Sequence, residues 1–197
     1  MTAAATVITD RHPWGQDAHT ALRWAFNLIE REPFPANLMA KMRTKSSGRG
    51  SGLSPLELRA EAARIRAMAQ EQMASSHPLE ASYVTAYYLP RPKVERKAGG
   101  GFQYHDQWIG RRRPAIRDLA GWLMRTATVG QKRLRGYEEV VAQHVYGFRH
   151  IHKARELLGV SLESAREFHG LADKELKDLR GRALTIMQGN LESAGML

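Results

Sequence analysis

A chain of 197 residues with 43% apolar and 25% charged side chains is long enough to bury one moderate core and too apolar to be disordered throughout. The absence of cysteine excludes disulfide frameworks, cysteine-based zinc fingers, iron–sulfur clusters and thiol nucleophiles. Thirty basic residues against twenty acidic leave a formal charge of +10, which points to a polyanionic partner, nucleic acid first.

Ala18, Ala21, Leu22, Ala25, Leu28 and Ile29 recur at the three-and-four spacing of an amphipathic helix over 17–30, with Asp17 as its cap. Residues 43–53 read as a flexible basic linker, rich in Gly and Ser, that sets off an N-terminal helical segment, 1–42. Ser54, Pro55 and Glu57 then form a capping box with proline in the first turn, and predict a long helix whose Leu58, Ala62, Ile65, Ala69 and Met73 share a face. Ser76 and Pro78 open a shorter helix with Leu79, Tyr83 and Ala86 inward, closed by Pro90 and Pro92.

From Arg91 to Arg113 a triple glycine, the aromatics Phe102, Tyr104 and Trp108 and flanking basic clusters read as a long loop or short hairpin, which completes a middle region, 54–113. Such aromatic–basic interleaving is also the composition of a platform for stacking single-stranded bases. Pro114 begins the C-terminal unit, 114–197, with a helix carrying Ile116, Leu119, Ala120, Leu123 and Met124 on one side. Tyr137, Val140, Val141, His144 and Val145 give the next helix, interrupted by Gly147; Ile151, Ala154, Leu157 and Leu158 give a shorter one that Gly159 ends. Ser161 caps a last helix with Ala165, Phe168, Ala172, Leu176, Leu179 and Ala183 inward. The expected fold is all-α, a helical protein ending in a helix-turn-helix bundle.

The run from Ile151 through Gly159 to Ser161 supplies a short helix, a glycine turn and a capped second helix in the order a helix-turn-helix requires. On these residues, with Ala154-Arg155-Glu156-Leu157-Leu158-Gly159-Val160-Ser161 at the centre, the segment from Tyr137 to Leu179 resembles region 4 of sigma factors. It is also similar to the C-terminal part of one class of lambdoid phage Q antitermination proteins, whose N-terminus Trp14-Gly15 echoes. Ala154 and the turn glycine are five residues apart, against four in those families. The resemblance implies a transcription factor that binds double-stranded DNA and contacts RNA polymerase or a sigma factor.

Between Arg111 and Lys153 ten basic residues face three acidic ones, so a positive stripe leads into the motif, where phosphates would position it. The expected DNA contacts are Arg149, His150, His152 and Lys153 to the backbone, Ser161, Ser164, Arg166 and Lys174 nearest the groove, and Arg111, Arg112 and Arg113 as a phosphate clamp. Glu163 and Glu167 lie on the same stretch and suit cytosine or a basic protein partner instead. The histidines lack metal-ligand spacing, no phosphate-binding glycine loop or nucleophile elbow occurs, and neither catalysis nor a cofactor is expected. With no apolar run of membrane length and no basic residue in Met1 to Thr9, the expectation is a cytoplasmic protein of bacteria or phage-infected cells, monomeric or dimeric, not associated with membranes. The rival reading is a helical DNA-packaging or assembly adaptor, similar to a small terminase subunit, whose Ala165-to-Ala183 stripe forms an intermolecular seam.

Overall fold

A computed structural model describes residues 14–28, 53–96, 102–127 and 133–197. The basic linker expected over 43–53, except its last residue Leu53, and the triple glycine lie outside them, as do Ile29 and Lys97.

The helix α1 (Ala18–Asn27) begins where the Asp17 carboxylate accepts the Thr20 N–H at 2.9 Å, satisfying one of the donors a first turn leaves over. At the start of α2 (Pro55–Ala67) the capping box is reciprocal: the Ser54 N–H donates to Glu57 at 2.6 Å, and the Glu57 N–H to Ser54 Oγ at 3.3 Å. A π-helical turn, Met68–Gln72, carries α2 into α3 (Met73–Ser76). The wider turn keeps Met68, Ala69 and Met73 buried together with Ala62 and Ile65. Ser76 does not cap the following helix as expected; it ends α3, and α4 (Pro78–Tyr88) starts after His77 with proline in its first turn.

A two-stranded antiparallel hairpin follows, β1 (Lys93–Arg96) against β2 (Phe102–His105), with Lys93 opposite His105 and Arg96 opposite Phe102. Next, α5 (Ile109–Thr126) begins five residues ahead of Pro114, so Arg111 to Arg113 are helical rather than in a loop. Proline is tolerated there because, in the second turn, its missing N–H deprives one carbonyl, that of Gly110. The C-terminal part matches the expected order: α6 (Leu134–Tyr146), α7 (Ile151–Leu158) and the 32-residue α8 (Leu162–Ser193).

The fold is all-α apart from the hairpin and encloses two hydrophobic cores. One gathers Trp14, α1, α2, the π turn and the far half of α8 through Ala183, Met187 and Leu191. The other gathers α4, α5, α6, α7 and the near half of α8 through Phe168, Ala172, Leu176 and Leu179. The expected inward stripe of α8 is thus covered by the chain's own helices along its whole length. Trp14 fastens the far end, its indole N–H donating to the Met196 carbonyl at 3.1 Å. Among the described residues no helix is long and apolar enough to cross a membrane.

Candidate nucleic-acid interface

Two left-handed glycines shape the C-terminal turns. Gly147 (φ 75°) ends α6 and Gly159 (φ 68°) ends α7, each in a conformation that costs an L side chain about 1–2 kcal/mol. Both close Schellman-type caps, with the Phe148 N–H on the Gln143 carbonyl and the Val160 N–H on the Arg155 carbonyl. Two residues after Gly159, Ser161 Oγ accepts the Ser164 N–H at 3.1 Å and starts α8. Phe168 and Ala172 hold the leading turns of α8 to the second core, with Ala165 buried as well, while Glu163, Arg166, Glu167, Gly170, Leu171 and Lys174 are exposed.

Tight packing between α6 and α7 fixes the approach. A Cβ on Gly136 would stand 2.7 Å from Leu158 Cδ2 and 3.1 Å from the Leu158 backbone nitrogen, so only hydrogen fits there. The buried Gln143 clamps the loop that follows: its amide oxygen accepts the His150 N–H at 2.8 Å and its amide nitrogen donates to the His150 carbonyl at 3.2 Å. That oxygen also takes His169 Nε2 at 2.9 Å, which makes Nε2 the protonated nitrogen and leaves buried Nδ1 as an acceptor without a partner.

A second network ties α8 to α4 and α6. His144 lies between Asp173 Oδ1, 2.8 Å from Nδ1, and the Tyr83 hydroxyl, 3.2 Å from Nε2; a neutral ring donates to the carboxylate and accepts from the phenol. Arg149 donates to the other Asp173 oxygen at 2.6 Å. Burial pushes the Asp173 carboxyl up, but the hydrogen bonds from His144 and Arg149 outweigh it and hold it below its usual range. Burial also raises the Tyr83 phenol and lowers His169, the latter with help from the Arg149 charge.

The expected site residues fall into distinct groups. Arg166 and Lys174 are exposed on α8, and His150, His152 and Lys153 are exposed at and after the start of α7. Arg149, though exposed, is engaged by Asp173, and Lys153 pairs with Glu139 at 2.8 Å. Ser161 and Ser164 are occupied by the cap, their hydroxyls 2.9 Å apart. The three consecutive arginines point in three directions, as 100° per residue dictates. Arg113 enters a groove between α5, α6 and α7, and Arg111 lies over the Trp108 ring. Arg112 is 1% exposed and is not a phosphate contact, which corrects the expected clamp. Its guanidinium is consumed by the carbonyls of Ala86, Leu89 and Pro90 and by the Asp106 carboxylate.

The groove that receives Arg113 measures about 480 Å³ and has an apolar floor of Ile116, Ala142 and Leu157. Arg135 and Lys153 share its rim with Glu138 and Glu139. Arg135 was legible only as part of the basic count, because nothing in the sequence places it beside Arg113. Of the aromatic run, Trp108 is half-buried and packs against the first core. Among the described residues no group of three His, Asp or Glu is placed to hold a metal. No protein-family model matches the chain, and no curated protein matches it significantly.

Proposed function

We propose that this chain is a DNA-binding transcription regulator without catalytic activity, antiterminator-like in acting on RNA polymerase, that offers the leading turns of α8 to a duplex. What carries the reading is the α7–Gly159–Ser161–α8 unit, in which Ala165 and Phe168 are buried while Arg166 and Lys174 remain open to solvent. Arg113, Arg135, His152 and Lys153 supply the sequence-independent contacts to phosphate, and Arg166 reads base edges. Glu163 and Glu167 restrict the sequences accepted, since carboxylates beside phosphates cost affinity unless a cytosine amino group receives them.

Duplexes selected from a random pool should shift with the purified protein, with an affinity falling steeply as salt rises. Arg166→Ala should abolish the preference for the selected sequence, by about 1–3 kcal/mol, and leave non-specific binding in place. A preference unchanged in that variant would overturn the role given to α8. An assembly adaptor would need a free seam on α8, and the stripe from Ala165 to Ala183 is already spent on the two cores. Light scattering should accordingly report a monomer or dimer, and a ring-sized particle would favour the adaptor.

A further inference from the structure

Together, α1 and the end of α4 enclose a cleft of about 340 Å³, walled by His19, Arg23, Tyr87, Tyr88 and Arg91 among others. Among the described residues that line it, none is acidic. Arg23 and Arg91 are exposed at its rim, and among the described residues neither has an ion-pair partner. Arg180 of α8 lies behind: its guanidinium is 3.3 Å from His19 Nδ1 and 5.2 Å from the centre of the Tyr87 ring, and its buried Nε has no hydrogen-bond partner. The carboxylate nearest His19 in sequence, Asp17, is turned to the Thr20 amide and hydroxyl.

We infer that this cleft is a binding site for a phosphate group, gripped by Arg23 and Arg91 at the mouth with His19 and Tyr88 at its back. Three guanidiniums brought together, with no ion-pair partner among the described residues, repel one another, and a bound oxyanion removes that cost while collecting charge-assisted hydrogen bonds. The repulsion is already felt inside the cleft: burial first, then the charges of Arg180 and Arg23, hold His19 below its ordinary value, with Asp17 opposing. Tyr88, whose hydroxyl is 2.6 Å from His19 Nδ1, donates to that neutral ring and keeps its own proton, burial pushing its phenol up to about 12. The Arg91 guanidinium also approaches within 3.9 Å of where a Cβ on Gly147 would stand, which carries the positive surface toward the loop before α7.

The full chain titrated calorimetrically with inorganic pyrophosphate should bind one equivalent. Arg23→Gln with Arg91→Gln should weaken that binding by about tenfold or more, as loss of charged hydrogen bonds does. The charge-matched pair Arg59→Gln with Arg125→Gln should leave it unchanged. All four side chains are exposed, so the variants keep their fold. In proton spectra the titration midpoint of His19 should rise when pyrophosphate is added, because the anion offsets Arg180 and Arg23. If the cleft variant also loses non-specific duplex affinity and about two units of salt slope, the phosphate belongs to nucleic acid; if duplex binding is untouched, it belongs to a free phosphate compound. No binding, or equal binding by both double variants, would overturn the site, and neither result bears on Arg166.

Discussion

The side chain most thoroughly committed to structure is Arg112. It caps the carbonyls of Ala86, Leu89 and Pro90 at the end of α4, reaches the Asp106 carboxylate after β2, and lies 5.4 Å beneath the centre of the Tyr146 ring. The Tyr146 hydroxyl joins the same Asp106 oxygen at 3.1 Å, so one ion pair binds the hairpin, α4, α5 and α6. Removing one member strands its buried partner, and Arg112→Met should cost about 3–5 kcal/mol in urea unfolding. Adding Asp106→Asn should recover part of that loss, whereas Arg113→Gln should stay within about 0.5 kcal/mol of the parent. In the sequence Arg112 is indistinguishable from its two neighbours. Its fate depends on carbonyls more than twenty positions earlier, which no local pattern reveals.

Among elements, the α6–α7 contact sets the pose of the second helix. Gly136→Ala would drive a methyl into Leu158, backbone included, and should destabilise by about 1–3 kcal/mol. Because the strain falls on α7, duplex affinity should drop along with the thermal midpoint; a variant as stable as the parent would refute the close approach. Periodicity made α6, α7 and α8 legible as helices, although α6 begins three residues ahead of Tyr137 and α8 runs ten residues past Ala183; the caps at Asp17, Ser54 and Ser161 were legible too, since both signals are local. The start of α5 was not legible. Pro114 has the chemistry of a first helical position, but the chain turns earlier, where Asp106 accepts the Trp108 N–H through its side chain and the Ile109 N–H through its backbone. Asp106 is held there by Arg112, so a tertiary contact overrides the local signal. The π turn was equally hidden, because Ile65, Ala69 and Met73 fit an ordinary helix as well.

At the scale of the whole molecule, two of the described histidines, His169 and His19, carry a pH dependence. Burial and then the Arg149 charge lower His169, and burial with Arg180 and Arg23 lowers His19, both from an ordinary value of 6.5. The unfolded chain therefore takes up these protons before the native one does. Their contribution is complete above pH 6.5 and is lost as pH falls through the depressed native values. Asp173 adds a loss of the same sign at more acidic pH, as its carboxyl is held below 3.8. The urea midpoint should fall between pH 7 and pH 5, and His169→Gln should flatten that decline; a slope identical to the parent's would sink the assignment.

The 32 residues of α8 run unbroken from the presenting turn into the other core, a length of about 48 Å. Such a rod acts as a lever: tilting it by 5° about its Ser161 end would swing the opposite tip by roughly 4 Å. Met187 and Leu191, wedged under α1 and Trp14, resist that swing. The far compartment thereby fixes the attitude of Arg166 without ever coming near it.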